Sequence, residues 1–121
     1  MALTSSQALG QKALLPSGPN QRATVRYRCP PASAGRVYLA EDVEFQRAWL
    51  HNLSASGIGL ILTKPLDHGM FLTIVLKGRS SNKKYQLPAH AVHSTQQSGG
   101  DWLVGCQFVY SLSEDDLDDL L

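Results

Sequence analysis

The chain has 121 residues, 43% of them hydrophobic, and its 11 basic side chains nearly balance 10 acidic ones, for a net charge of +1. This length fits one domain that can bury an adequate core without a disulfide scaffold. The near-neutral charge argues against a general nucleic-acid or membrane-surface binder, because such proteins are usually strongly basic. Two cysteines, Cys29 and Cys106, are too few for a disulfide framework or a zinc site. We therefore expect reduced thiols, with Cys106 in the core.

The first segment, residues 1–20, mixes Ser, Gln, Gly and Pro with a few leucines and has no sustained period. We predict a flexible tail there, followed by one domain over residues 21–121. The tail lacks the basic start and long apolar stretch of a secretory signal. No segment approaches the roughly 20 apolar residues that a membrane span requires. The sequence therefore predicts a cytoplasmic protein without direct membrane insertion.

The next segment, residues 22–28, is followed by a stretch of turn-forming residues, Pro30, Pro31, Ser33 and Gly35. We predict that residues 22–28 form an arm between two irregular segments.

Strand signals begin after this stretch. Short alternating apolar runs separated by turn residues are typical of antiparallel strands. The predicted strands cover residues 37–40, 44–53, 57–63, 70–76, 85–95 and 102–110. Residues 77–84 are predicted to form an exposed hairpin loop, and Pro88 implies an edge position or a bulge. In the last strand we expect one shared face for Trp102, Val104, Cys106, Phe108 and Tyr110.

The C-terminus changes to a helical period. Ser113 is a plausible N-cap, and acidic residues follow it in the first turn, where they complement the helix dipole. The leucines at positions 117, 120 and 121 have the i, i+3, i+4 spacing of a buried helix face. Asp118 and Asp119 oppose the dipole, so we expect a short helix held by its leucines. The elements together predict an all-β fold with a terminal helix: a small, antiparallel, six-stranded β-barrel.

Two clusters carry candidate binding chemistry. Arg22 and Arg26 are separated by three residues, and Asn52, Ser54 and Gly57 follow about two dozen positions later. Arginine forks fit phosphate oxygens and the O6/N7 edge of guanine. The second cluster offers an amide, a small hydroxyl and a glycine that lets backbone approach a ligand. The two clusters predict a guanine nucleotide as ligand.

This ordered pair, Arg-x-x-x-Arg and then Asn-x-Ser-x-x-Gly, resembles the PilZ domain, a bacterial receptor module for the second messenger cyclic di-GMP. The resemblance covers roughly residues 21–121 and includes Val104-Gly105-Cys106-Gln107-Phe108 before the terminal helix.

The resemblance implies a barrel whose arginine arm folds over cyclic di-GMP on its outer surface. Arg22 and Arg26 would bind phosphate and the guanine edge and stack on the base. Asn52 and Ser54 would hydrogen-bond a guanine or the adjoining backbone, and Gly57 would permit a close turn. Ordering of the arm on binding would be the signal to a downstream effector protein.

One position departs from many family members, in which a further basic residue precedes the first motif arginine. Gln21 stands there in this chain. In the family that position is linked to binding of one messenger molecule or a stacked pair. Because Gln21 is uncharged, this chain has one cation fewer at that position than those family members, and we therefore expect a single ligand.

No catalytic constellation is visible, and we predict neither an enzyme nor a cofactor or metal. His90 and His93 are three apart on a predicted strand, so they are expected to point to opposite faces and not to chelate one ion. Ser54 has no His/Asp pattern that would make it a nucleophile.

Two other functions remain open. The chain could be a PilZ-fold adaptor that binds a partner protein without nucleotide, although intact motifs argue against this. It could also be a small barrel that binds single-stranded nucleic acid, which requires a basic groove interleaved with exposed aromatic residues. Basic residues are few between the aromatic residues along the sequence, so we rank this last and expect no DNA or RNA partner.

Overall fold

The computed structural model describes residues 25–30, 33–40 and 42–121. The predicted tail, Arg22 and the start of the predicted arm, residues 22–24, therefore lie outside the described residues. In chain order the elements are β1 (Tyr27–Arg28), β2 (Ala34–Leu39), β3 (Gln46–Leu53), β4 (Gly57–Leu62), β5 (Phe71–Lys77), β6 (Lys84–Gln96), β7 (Trp102–Phe108) and α1 (Glu114–Leu120).

Six of these strands close into an antiparallel barrel. Their order around it is β3, β2, β5, β6, β7 and β4, and β4 pairs back onto β3. The two-residue strand β1 adds to the outer end of β3, where Tyr27 pairs with Leu53 and Arg28 pairs with Asn52. The predicted six-stranded barrel with a C-terminal helix is confirmed.

The barrel interior is filled by the inward-facing residues of each strand. In β4, Ile58 and Leu60 are fully buried, and Ile74 and Val104 face them from β5 and β7 with no exposed surface. Alternation along each strand sends the intervening residues outward, where they can meet a ligand. Within the described residues, no helix is long and apolar enough to cross a membrane.

The helix α1 covers one end of the barrel. Ser113 is its N-cap, and its side chain accepts a 3.1 Å hydrogen bond from the amide of Asp116. Leu117 and Leu120 are buried. Leucine packing is not the only attachment of α1. Near its C-terminal end, Asp119 accepts hydrogen bonds of 2.7 Å from the hydroxyls of both Tyr85 and Ser81. These bonds lower the pKa of Asp119.

Two local predictions were wrong. Gly35, assigned to an irregular segment, lies within β2 opposite Ala48, and a Cβ there would approach the Leu76 side chain to 2.7 Å. Gly35 is thus a strand residue rather than a turn residue, and a side chain there would require the Leu76 methyl group to move aside. Tyr110 does not share the buried face of the last strand, because β7 ends at Phe108 and Tyr110 is 75% exposed.

Candidate ligand-binding site

The two sequence clusters meet at the outer end of β3. Arg26 immediately precedes β1, and the pairing of Arg28 with Asn52 brings the arm alongside the second cluster. Nη1 of Arg26 donates a 2.7 Å hydrogen bond to Oδ1 of Asn52. Arg26 is exposed, and its bond to Asn52 uses only one of the five guanidinium N–H donors. Arg22 lies outside the described residues.

The turn between β3 and β4 is organised by Ser54. This side chain is only 1% exposed, and its Oγ accepts hydrogen bonds from the amides of Gly57 at 3.1 Å and Ser56 at 3.3 Å. The amide of Ser54 in turn donates to the carbonyl of Gly57 at 2.9 Å. The hydroxyl of Ser54 is thus directed into the turn, and the bonds it makes hold the backbone at the site.

Gly57 permits the close approach of β4 to β7. A Cβ at this position would collide with the backbone carbonyl of Cys106, and it would lie 3.5 Å from Nη2 of Arg26. The backbone carbonyl cannot move aside as a flexible side chain could. Gly57 is therefore needed by the barrel wall itself, directly below the arginine.

Four residues form a row across the outer surface of neighbouring strands, called here the outer row: Asn52, Gly59, Gly105 and His93. Gly59 pairs with Asn52 on one side and with Gly105 on the other, and Gly105 pairs with His93. A Cβ at Gly59 would come within 2.9 Å of Oδ1 of Asn52, and a Cβ at Gly105 would press into the His93 ring. Each glycine therefore makes room for a neighbouring side chain: the Asn52 amide lies over Gly59, and the His93 ring lies over Gly105.

The position of His93 differs from its prediction. The ladder between β6 and β7 shifts register between Ala91 and His93, which marks a β-bulge at Val92. The extra residue at the bulge shifts the alternation of side chains by one position, so His90 and His93 both lie on the outer face. His90 pairs with Gln107, and His93 pairs with Gly105. The prediction of opposite faces was wrong because strict period-two alternation fails at a bulge. The described residues contain no group of three or more His, Cys, Asp or Glu side chains that could hold a metal ion.

A cavity of about 240 Å³ opens beside the outer row. It is lined by Arg26, Ser56, Gly57, Val92, His93, Gly105, Cys106 and Gln107. Burial raises the pKa of the Cys106 thiol to about 12, against a smaller opposing effect of Arg26. Cys106 is therefore a neutral thiol at physiological pH and not a nucleophile. It is a free cysteine, as is Cys29, whose pKa is also raised by burial.

The chemistry of this surface suits a flat anion. One exposed guanidinium borders the cavity, and none of its described lining residues is acidic. The imidazole of His93 and two side-chain amides, Asn52 and Gln107, offer flat faces and polar contacts near the arginine.

The structure brings Arg26, Asn52, Ser54 and Gly57 together as the sequence motifs imply. It adds Gly59, Gly105, His93 and Gln107, which sequence reasoning did not assign to the site. For the two glycines a signal existed, because isolated glycine in a strand often marks a close approach. For His93 there was none, since the bulge that turns it outward has no clear sequence signature.

Comparisons with known proteins agree with this architecture. The chain is similar to a solved structure described as the Bacillus subtilis inhibitor of motility (MotI/DgrA), with a TM-score of 0.56 and 17% sequence identity over 79% of this chain and 46% of the other. The chain thus spans about half the length of that protein, and at this identity the likeness concerns the fold alone. No curated protein matches the chain. The family model described as the PilZ domain matches residues 20–121, and the chain therefore belongs to the PilZ family.

Proposed function

We propose that this protein is a receptor for cyclic di-GMP that passes the signal to a partner protein or domain. The observation that supports this most directly is the hydrogen bond between Arg26 and Asn52, which joins the two binding motifs at the edge of the 240 Å³ cavity. PilZ domains are typically receptor modules rather than enzymes, in agreement with the proposal.

The proposed ligand matches the site in charge and shape. Cyclic di-GMP carries two phosphates and two planar guanines, and the cavity combines the guanidinium of Arg26 with the imidazole of His93 and the side-chain amide of Gln107. Arg26 would bind a phosphate or the O6/N7 edge of a guanine through the donors that Asn52 does not use. Arg22 would act in the same way from earlier in the arm.

The roles of the second motif separate into two kinds. The side chain of Asn52 is half-buried beside Arg26 and can contact the ligand. Ser54 and Gly57 would act through the backbone, because the hydroxyl of Ser54 is bonded within the turn and Gly57 has no room for a side chain. The turn would thus be set before the ligand arrives, which lowers the cost of binding.

The proposed signal is a change in the arm. Within the described residues, strand β1 pairs with β3 over two residues only, Tyr27 with Leu53 and Arg28 with Asn52. Contacts of Arg22 and Arg26 with a bound messenger would fix the arm against the barrel, and a partner would read the altered surface. The free thiols agree with action in the reducing cytoplasm.

Isothermal titration with cyclic di-GMP tests the proposal, with GTP and cyclic di-AMP as controls. We expect heat of binding for cyclic di-GMP, weak or no binding of the controls, and one ligand per chain because Gln21 removes a cation. Two ligands per chain would show that the expected stoichiometry is wrong but would still support the proposal that the protein is a receptor. No heat at millimolar cyclic di-GMP would overturn the receptor and favour an adaptor that does not bind nucleotide.

A further inference from the structure

A second concave surface lies on the opposite side of the barrel. Around the ring of strands, the junction of β2 with β5 stands opposite the junction of β7 with β4, where the proposed messenger site lies. A cavity of about 470 Å³ opens there, roughly twice the volume of the cavity beside Arg26. Four basic side chains line it, and this surface is called here the basic groove: Arg36, Arg47, Lys77 and Lys84.

The four cations are arranged as two like-charge pairs. Arg36 and Arg47 are direct cross-strand partners in the ladder of β2 and β3, and Lys77 and Lys84 are direct partners in the ladder of β5 and β6. Like charges directly opposite one another destabilise a sheet. The fold thus holds two mutually repelling pairs around a single cavity.

Nearby carboxylates do not neutralise them within the described residues. None of the residues that line the groove is acidic. Asp42 and Glu44 lie in the described part of the connection between β2 and β3, but they do not line it. Lys83, the neighbour of Lys84, does pair with a carboxylate, at 3.3 Å from Asp116. An anion bound in the groove would offset the repulsion that the protein alone leaves in place.

Aromatic rings accompany these cations. Phe45, Arg47 and Trp49 alternate along the outer face at the start of β3, and the two rings are 47% and 44% exposed. At about 3.3 Å per residue, these rings are separated by roughly 13 Å along the strand. The guanidinium of Arg36 lies 5.4 Å from the centre of the Phe45 ring. Flat rings alternating with cations in a groove are the arrangement that holds single-stranded nucleic acid, with bases on the rings and phosphates on the cations.

We infer that the basic groove, with Phe45 and Trp49 beside it, is a binding surface for single-stranded nucleic acid. The sequence alone predicted no such partner, because the basic residues that line this one cavity are far apart along the chain. The exposed rings favour this ligand over an acidic peptide, because a peptide of carboxylates gains nothing from two aromatic faces. The inference is independent of the proposed messenger site, which lies across the barrel. The low net charge predicts modest affinity and no preference for duplex, because binding would depend on four local cations and on stacking.

Fluorescence anisotropy of a labelled 12-nucleotide single strand, titrated with the full chain over a range of KCl concentrations, tests this. Each phosphate contact contributes a slope of about −0.7 in a plot of log K against log salt, so four contacts predict about −2.8. The double variant Arg36→Ala/Arg47→Ala should roughly halve that slope. Trp49→Ala should weaken binding about 5- to 150-fold, as expected for one lost base stack, with little change in slope.

Controls separate this surface from general charge and from the messenger site. Lys64→Ala removes an exposed lysine that does not line the groove and should leave the affinity within about twofold. Arg26→Ala should do the same. Trp49→Phe should recover most of the affinity lost in Trp49→Ala, and thermal unfolding should show that all variants remain folded.

Three results would overturn the inference. The first is no binding at low salt. The second is equal binding of a decaglutamate peptide, which would make the groove a general anion surface. The third is loss of binding in Arg26→Ala but not in Arg36→Ala/Arg47→Ala, which would assign the strand to the messenger site.

Discussion

Arg26 and Asn52, 26 positions apart in sequence, are joined by a 2.7 Å hydrogen bond from Nη1 to Oδ1. This bond links the arm to the barrel and places a guanidinium beside the cavity. The arginine motif and the asparagine motif therefore act as one site, and a change in either should affect the other.

Arg26→Ala should weaken the binding of cyclic di-GMP by about 1–3 kcal/mol, because a charged hydrogen-bond donor is lost. Isothermal titration measures the change. Arg28→Ala is the matched control, since Arg28 is also an exposed arginine of the arm but does not belong to the motif. If Arg22→Ala and Arg26→Ala both bind the messenger as the unchanged chain does, the assigned site is wrong.

Gly59→Ala should reduce messenger affinity with a smaller effect on stability. The added Cβ would come within 2.9–3.1 Å of the Asn52 amide group, and this half-buried side chain would have to leave its place beside Arg26. Titration and thermal unfolding on the same sample separate the two effects. Gly99→Ala is the control, because a Cβ there would meet nothing within 4 Å. Unchanged affinity in Gly59→Ala would show that the position of Asn52 does not matter for binding.

Ser54→Ala should lower the free energy of unfolding by about 1–3 kcal/mol, because the buried amide of Gly57 loses its hydroxyl partner. Urea unfolding measures this, and Ser98→Ala, at an exposed turn, should be neutral. We also expect weaker messenger binding, since the turn carries Asn52 and Gly57. If Ser54→Ala has the same free energy of unfolding as the unchanged chain, the structural role that we assign to this hydroxyl is wrong.

Acid should weaken the attachment of α1 through Asp119. Hydrogen bonds from Tyr85 and Ser81 lower the pKa of this carboxyl below its usual value of 3.8. Its contribution to stability is therefore present above about pH 4 and is lost as the pH falls through the lower, folded-state pKa. The stability difference between the unchanged chain and Asp119→Asn should be largest near neutral pH and should shrink below pH 3.

Urea unfolding at pH 7 and at several values below pH 4 measures this dependence. Asp101→Asn, at an exposed carboxyl just before β7, is the control and should show no comparable dependence. A difference between the unchanged chain and Asp119→Asn that stays constant down to pH 2 would mean that the ionised carboxylate contributes nothing in α1.

Tyr85 contributes to the same hydrogen bonds that attach α1 to the barrel through Asp119. Tyr85 is a buried residue whose hydroxyl donates a 2.7 Å hydrogen bond to Asp119 and lies 3.4 Å from Asp116, and burial together with these carboxylates raises its pKa. The sequence had predicted that the leucines alone would hold α1. The network explains how an acidic residue is tolerated near the C-terminal end of a helix, where the dipole disfavours it.

Local sequence patterns were sufficient for most of the fold. Alternation in 57–63 and 70–76 predicts strands with ends within one or two residues of those observed, because each strand has one face in the barrel interior. The cap at Ser113 is equally local, since its hydroxyl bonds a neighbouring amide. The paired arginine and asparagine motifs also predicted the PilZ family, because a resemblance to a family depends on residue types and spacing.

Contacts between residues that are distant in sequence could not be predicted from these local patterns. The bulge that turns His93 outward arises from the pairing of β6 with β7, and the direction of every residue after it depends on that register. The basic residues 36, 47, 77 and 84 come from four different strands, and the pairing of β2 with β5 brings them to one cavity. The sequence by itself determined the strands, the helix cap and the residue types of the proposed messenger site. Only the tertiary structure decided which side chains share an outer surface, because strand register and barrel order depend on the packing of the whole core.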